Sequence, residues 1–377
     1  MHVGLNALHL VPRETGGSEL YVRRLIPALL EARPDIRLTV FVSREGSELR
    51  QAAWASEVDL TVLPVRARSR VRRVLAEQTL LPPRARQLDL LHNLFTTAPA
   101  LPTVPQVTTI LDLIYKRVPD THEGVLTRGM DVLTRVSARR SRRIIAISEA
   151  TKRDVVEFLG VDPDTIDVTY LGPGLAEVPP EPESELRRRL GLGDSQLVLS
   201  VSAKRAHKNL ERLIDAVAAL RARHDLVLVI PGYATALEER LKQKAGAGVR
   251  FTGWLDDEAL DGLYRAATCF AFPSLAEGFG LPVLEALTRG APVACSDATS
   301  LPEVAGDAAL YFDPYDTGAI AEAIERLLGD AALRERLRER GYAQARKFSW
   351  RETAIRTARS YELALSGGRE PREPPRG

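Results

Sequence analysis

Glu277 and Glu285 stand eight positions apart in Glu277-Gly278-Phe279-Gly280-Leu281-Pro282-Val283-Leu284-Glu285-Ala286, on either side of a glycine turn and the start of an apolar helix. Two carboxylates so placed can accept hydroxyl groups, hold a cation or serve hydrolysis. Just upstream, Cys269-Phe270-Ala271-Phe272-Pro273-Ser274 reads as a buried strand stopped by proline, so Glu277 to Gly280 fall on the loop at that strand's carboxyl end. In open α/β folds ligands lie at this edge, where helix amino termini offer unpaired N–H groups and partial positive charge to phosphates. Glu277 is expected on the loop beside a ligand. Glu285, one or two turns into the helix, can offer both oxygens to a vicinal diol such as that of ribose.

A second loop adds charge. Ser202-Ala203-Lys204-Arg205-Ala206-His207-Lys208-Asn209-Leu210 runs from a strand into a helix over 211–220. Lys204, Arg205 and Lys208 at a helix amino terminus oppose the macrodipole, and an anionic ligand resolves the conflict. Alone, such a loop equally fits a solvated basic turn; beside the glutamate pair, it suits a phosphate-bearing, hydroxyl-bearing ligand. Pro231-Gly232-Tyr233 forms a third loop, where Gly232 lets backbone approach a ligand because it has no Cβ. Glu14-Thr15-Gly16-Gly17-Ser18-Glu19 follows the first strand; the N–H groups of Gly16 and Gly17 either face a cleft or merely form a tight turn. Asp256-Asp257, an adjacent acidic pair, reads as a helix start, so the motifs call for no metal or other cofactor.

The elements behind these loops are legible. Strand-like runs cover 3–8, 38–43, 58–65, 88–94, 107–114, 144–148 and 166–171, and helix-like runs alternate with them. A second series covers 197–202, 226–231, 249–254, 269–273, 292–296 and 309–312. Near-continuous apolar strands separated by amphipathic helices imply parallel sheets covered on both faces. The expected fold class is α/β, with two doubly wound Rossmann-like domains: 1–172, a Pro- and Glu-rich linker over 173–195, and 196–348. A helix over 349–366 follows a long helical stretch at 318–347, and a flexible tail occupies 367–377. At 377 residues, 45% hydrophobic, 27% charged and net charge +2, the chain is an ordinary globular protein with no call for nucleic acid. Cys269 and Cys295 are the only cysteines and read as buried thiols. No run suits a membrane span or signal peptide, which implies a cytoplasmic location.

Together these residues resemble the family 4 retaining glycosyltransferases of the GT-B fold. The resemblance rests on Gly16-Gly17, Ala146-Ile147-Ser148-Glu149 with Lys152, Lys208-Asn209-Leu210, Glu277 to Glu285, Ser300-Leu301-Pro302-Glu303-Val304, Gly306-Asp307-Ala308 and Phe312-Asp313-Pro314. It implies two domains facing across a cleft, the first binding an acceptor and the second a nucleotide-sugar donor, with the last helix crossing back. It further implies that Lys208, aided by Lys204 or Arg205, holds the donor diphosphate and that Glu285 binds the ribose. Glu277 would touch the transferred sugar, and the N–H groups of Phe279, Gly280 and Leu281 would meet sugar or phosphate. Trp254 or Leu255 would lie near the base, although Trp254 fits a core position as well. The activity implied is transfer from a nucleoside diphosphate sugar, with a lean to GDP-mannose, to a saccharide or glycolipid hydroxyl in polysaccharide or glycoconjugate biosynthesis.

One departure stands out. Where such proteins often carry a His-Asp pair, this chain has Ile110-Leu111-Asp112-Leu113. Asp112 remains a candidate for acceptor orientation or proton handling, or it simply hydrogen-bonds its own loop; His92, ending the preceding strand, is either a substitute for the missing histidine or, as is more common for a lone histidine at a strand end, a structural residue. Leu111 keeps a non-catalytic nucleotide-sugar-binding protein open as an alternative, and a nucleotide-sugar epimerase shares the architecture. Arg66, Arg68, Arg70, Arg72, Arg73, Arg84 and Arg86 form a band broken by one acid, Glu77. That band suits anionic lipid at the inner face of a membrane, an acidic acceptor, or a plain solvated face.

Overall fold

The computed structural model describes residues 1–12, 14, 16–119 and 125–367. Thr15 and the expected tail from 368 onward lie outside the described residues. The chain divides into two units, one built from 1–116, 125–172 and the closing helix, the other from 117–119 and 173–348.

In the first unit, β1 (His2–Ala7), β2 (Arg37–Val42), β3 (Asp59–Val62), β4 (Leu90–Asn93), β5 (Gln106–Ile110), β6 (Arg143–Ala146) and β7 (Ile166–Val168) form one sheet in the order β3-β2-β1-β4-β5-β6-β7. Every pairing is parallel. The strands are short and apolar because helices cover both faces, so side chains on either side of the pleat are buried. The closing helix Trp350–Leu365 belongs to this unit and starts at Ser349, whose side chain accepts the Glu352 N–H at 3.2 Å. Gly172 makes room for that start: a Cβ there would lie 2.6 Å from the Trp350 nitrogen. Arg33 Nη1 donates to Glu362 at 2.6 Å and Arg142 Nη1 to the Ala364 carbonyl at 2.9 Å, which fixes the helix's far end.

His92, the candidate substitute for a reactive histidine, is part of this packing instead. It is fully buried on β4, with Nδ1 2.7 Å from the Tyr361 hydroxyl and Nε2 2.8 Å from Thr109 Oγ1. Burial pushes its pKa down to about 3, so it stays neutral. Its ring ties the closing helix to the sheet, and both nitrogens are spent on that task.

In the second unit, β8 (Gln196–Leu199), β9 (Leu226–Pro231), β10 (Val249–Gly253), β11 (Cys269–Phe272), β12 (Val293–Ser296) and β13 (Ala309–Phe312) form an all-parallel sheet in the order β10-β9-β8-β11-β12-β13. Both cysteines are free and buried, as expected. Two expectations change. The stretch read as a linker contains the helix Glu183–Leu190, ended by Gly191 at φ 61. Leu186 is buried there, 2.6 Å from where a Cβ on Gly262 would sit, so Gly262 must be glycine for this helix to seat. The long helical stretch at 318–347 is two helices, Thr317–Gly329 and Ala331–Ala345, because Asp330 leaves helical geometry and its carboxylate caps Leu333 N–H at 2.8 Å. The apolar period runs on through the break, which hides it from the sequence.

Candidate functional site

The strand order of the second sheet reverses between β8 and β11, which are neighbours with β9 on one side and β12 on the other. Loops leaving two such strands diverge to opposite faces and open a crevice at their carboxyl ends. Here those loops are 200–209 and 273–280, the two that carry Lys208 and Glu277. Lys208 Nζ lies 2.5 Å from Glu277 Oε1 and 5.2 Å from the centre of the Phe272 ring. Both side chains are mostly buried. The cation and the carboxylate are thus held in one place, paired with each other, and a diphosphate entering there would compete for the same ammonium.

A set of backbone anchors makes the loops rigid. Asn209, in the left-handed region at φ 57, donates through Nδ2 to the carbonyls of Pro273 (3.0 Å) and Pro314 (2.7 Å), joining the loops after β8, β11 and β13. The Leu275 N–H and the Ser274 hydroxyl both donate to the His207 carbonyl, at 2.8 and 3.1 Å. The Glu277 N–H donates to Thr299 Oγ1 at 2.9 Å, while the Ser300 hydroxyl donates to the carbonyls of Glu277 and Phe279 at 3.0 and 2.8 Å. Thr299 is a β-branched residue at φ 50, a costly conformation that persists only where the surroundings demand it. Asn209 and Ser300 stand within motifs that carry the family resemblance but were given no role there, and Thr299 stands outside them; an asparagine between a cationic loop and a helix is itself a signal, since asparagine tolerates positive φ.

The helix Leu281–Thr288 begins at Gly280, φ 107, with no side-chain cap. Leu301 packs 2.6 Å from where a Gly280 Cβ would sit, so both conformation and space require glycine. Phe279 is buried with its ring edge-on to Phe348, centroids 5.8 Å apart, and Gly278 is buried beside it. The turn therefore anchors its side chains inward, and Leu281 opens the helix at the sheet edge.

Glu285 sits deeper than a freely presented diol acceptor. It is buried, and the Tyr264 hydroxyl donates to its Oε2 at 3.0 Å. Burial raises its pKa to about 7, opposed by the Tyr264 hydrogen bond and by Arg289. Arg289 is itself tied to buried Asp261 at 2.5 Å. Recognition of two hydroxyls by Glu285 would use the remaining lone pairs of an oxygen already bonded to tyrosine.

Lys204 corrects the expectation of a second open cation. Only 1% exposed, it turns its ammonium to the Gly232 carbonyl at 2.5 Å, with Glu238 Oε2 at 3.7 Å. Burial lowers its pKa to about 8. Arg205, by contrast, is exposed. Gly232 also acts differently from its expected role. At φ 118, a Cβ on it would meet the Ser202 carbonyl oxygen at 2.4 Å, so the close approach it permits is between two loops of the protein. Gly232→Ala is expected to cost about 1–3 kcal/mol through strain and that clash; equal urea midpoints for variant and parent would remove this explanation.

Trp254 is not a core residue. It is 64% exposed at the end of β10 and stacks on Tyr233, centroids 4.8 Å apart and planes at 28°. Leu255 beside it is half-buried, and Asp256 caps the following helix through the Ala259 N–H at 2.9 Å. In the first unit, Gly16 caps the helix Gly17–Ala32 at φ 55, and a Cβ on either glycine would meet nothing within 4 Å. Asp112 Oδ1 accepts the Ile114 N–H at 3.2 Å, the loop-bonding role, with Leu111 buried next to it.

Two doubly wound, all-parallel α/β units, one of seven strands and one of six, make the GT-B architecture, and the chain belongs to the family 4 glycosyltransferases. Its residues 15–173 match the model of Glycosyltransferase Family 4, and 182–344 match that of Glycosyl transferases group 1. Among relatives, the chain is 34% identical to O-antigen chain mannosyltransferase B of Escherichia coli over 68% of this chain and 70% of that protein. It is also 34% identical to the serotype-specific mannosyltransferase WbdA of Escherichia coli, over 61% of this chain and 30% of that longer protein. Among solved structures, HepE of Anabaena in complex with UDP-glucose superposes with a TM-score of 0.76 at 20% identity, covering 97% of this chain and 100% of that one.

Proposed function

We propose that the protein transfers a sugar from a nucleoside diphosphate donor to a hydroxyl of a saccharide or glycolipid, with retention at the anomeric carbon, in polysaccharide or glycoconjugate assembly. The observation that carries this reading is the 2.5 Å pairing of Lys208 with Glu277 at the switch point of the second sheet. In the reaction the bond from anomeric carbon to diphosphate oxygen breaks, and a bond to the acceptor oxygen forms. Lys208, exposed Arg205 and the amino terminus of the helix from Leu281 meet the charge left on the diphosphate. Glu277 orients the sugar, Glu285 takes the ribose, and Leu255 with Trp254 lies toward the base. Gly16 and Gly17 offer N–H groups to the donor, and Asp112 orients the acceptor or receives its proton. The reading needs no metal.

GDP-mannose is the leading donor because the relatives named above are mannosyltransferases; HepE with UDP-glucose keeps a uridine donor in play. The site of action is the cytoplasm, at the inner face of the membrane, with peripheral contact through the first unit. Among the described residues no helix is long and apolar enough to cross a membrane.

Melting the protein with a panel of GDP, UDP and dTDP sugars tests the donor site, because a ligand at 100 times its Kd stabilises by about 2.7 kcal/mol. Proton NMR of the product from the stabilising donor then reads the anomeric configuration. Retained configuration with an acceptor, and an unchanged sugar without one, is the expected result. No thermal response to any donor, an inverted product, or a new sugar isomer from donor alone would each overturn the reading.

A further inference from the structure

We propose that the first unit carries a docking site for an anionic phospholipid surface, in which Arg44, Arg66 and Arg72 hold headgroup phosphates and Val71 and Leu75 enter the acyl boundary. It deepens the membrane contact of the proposed function by naming the residues that make it.

The site is built on the helix Arg70–Thr79 and on the carboxyl ends of β2 and β3. A concavity of about 360 Å³ lies there, lined by Arg44, Arg66, Arg72, Val65, Leu75 and Thr79 among others. Its walls are tied together: the Arg44 N–H donates to the Val65 carbonyl and the Ala67 N–H to Glu45 Oε2, both at 2.9 Å. Arg44, Arg66, Arg70 and Arg72 are exposed, and among the described residues none has a carboxylate partner. Arg68, between them, pairs with Glu14.

The helix cannot roll to hide its apolar residues. Its inner face is committed, with Arg73 and Glu77 buried, Thr97 Oγ1 donating to Glu77 Oε2 at 3.0 Å, and the Arg73 guanidinium 5.8 Å from the centre of the Phe95 ring. Val71 and Leu75, one turn apart on the opposite side, are therefore left 64% and 57% exposed. A solvated basic face has no use for two large apolar side chains among its arginines, and a soluble anion would use the arginines alone. A bilayer with negative headgroups engages both, since basic residues near the surface each contribute about 1 kcal/mol and apolar side chains gain by leaving water.

The test is sedimentation of the full chain with vesicles of phosphatidylcholine alone or with about 30% phosphatidylglycerol, which gives a clear negative surface charge. Wild type is expected to bind only the anionic vesicles, and binding should fall at least about tenfold in Arg66→Gln/Arg72→Gln and in Val71→Ser/Leu75→Ser. Unchanged melting temperatures verify that the variants fold. If wild type ignores anionic vesicles, the membrane contact and this site both fall. If it binds and both double variants bind equally well, membrane contact stands and this site is wrong. If only the arginine variant loses binding, and inorganic phosphate displaces the wild type as effectively, the pocket is an anion site and the docking proposal is overturned.

Discussion

Lys208→Ala is expected to lower sugar-transfer turnover by about 10²–10³-fold, the size of effect seen when one preorganised group facing a developing oxyanion is removed. The charge on the departing diphosphate needs a cation that is already in place. Lys208 is fixed by Glu277 at 2.5 Å and by the face of Phe272, on a loop whose end is pinned through Asn209. The neighbouring Lys204 cannot stand in, because its ammonium points inward to the Gly232 carbonyl. Lys208→Arg should recover only part of the loss, since a guanidinium is a planar fork and the site is shaped for a point charge. Losing the partner of a largely buried Glu277 also lowers stability, so turnover is read on protein shown to be folded by its melting curve. In the double variant Lys208→Ala/Glu277→Ala the two losses should combine less than additively, as expected for groups that share one contact. A Lys208→Ala enzyme with turnover within threefold of the parent would remove the lysine from the reaction.

Glu285→Gln is expected to act in opposite directions on stability and on donor binding. The carboxyl of Glu285 has its pKa raised from 4.5 to about 7 by burial. Below about pH 4.5 it carries its proton in the folded and unfolded chain alike. Between about 4.5 and 7 the folded state keeps the proton that the unfolded state releases, so stability falls as pH rises through this window and levels off above it. The loss is on the order of 3 kcal/mol, and glutamine, which never ionises, avoids it. The variant should therefore match the parent near pH 4.5 and exceed it in urea midpoint at pH 8. Donor binding should do the reverse. A carboxylate accepts ribose hydroxyls more strongly than a neutral amide, so the variant's Kd at pH 8 should rise by about tenfold or more, and the parent's own affinity should weaken on acidification below pH 7. A stability difference that is the same at both pH values would refute the buried-carboxyl account, and an unchanged Kd would take Glu285 out of the donor site.

The thirteen strands among the described residues were legible because a buried parallel strand leaves a short apolar run between turn residues, and every run expected from the sequence overlaps one. Strand ends were less so: the run at 58–65 yields a strand only from Asp59 to Val62, since the chain turns just beyond it, where the Val65 N–H donates back to the Leu63 carbonyl at 2.8 Å. Lys208 and Glu277 were legible as well, because their loops follow strands and precede helices, and such loops share one edge of the sheet. Lys204 was misread as an open cation, and of the two readings open for His92 the structural one holds. Each looks reactive by type, and each spends its polar atoms on groups far off in the chain, the Tyr361 hydroxyl and the Gly232 carbonyl.

That contrast sets the division for this protein. Local pattern alone determined two α/β units, their order and the pair of loops that carry charge, because apolar period and turn residues report burial along a single element. Tertiary structure alone decided which charges remain available. Lys208 meets Glu277 across 69 positions, Lys204 is taken by a loop 28 positions away, and Val71 and Leu75 stay outside because Arg73 and Glu77 occupy the inner face of their helix. A side chain's partner is chosen by non-local packing, and the energy of a buried or exposed charge depends on that partner more than on its own identity.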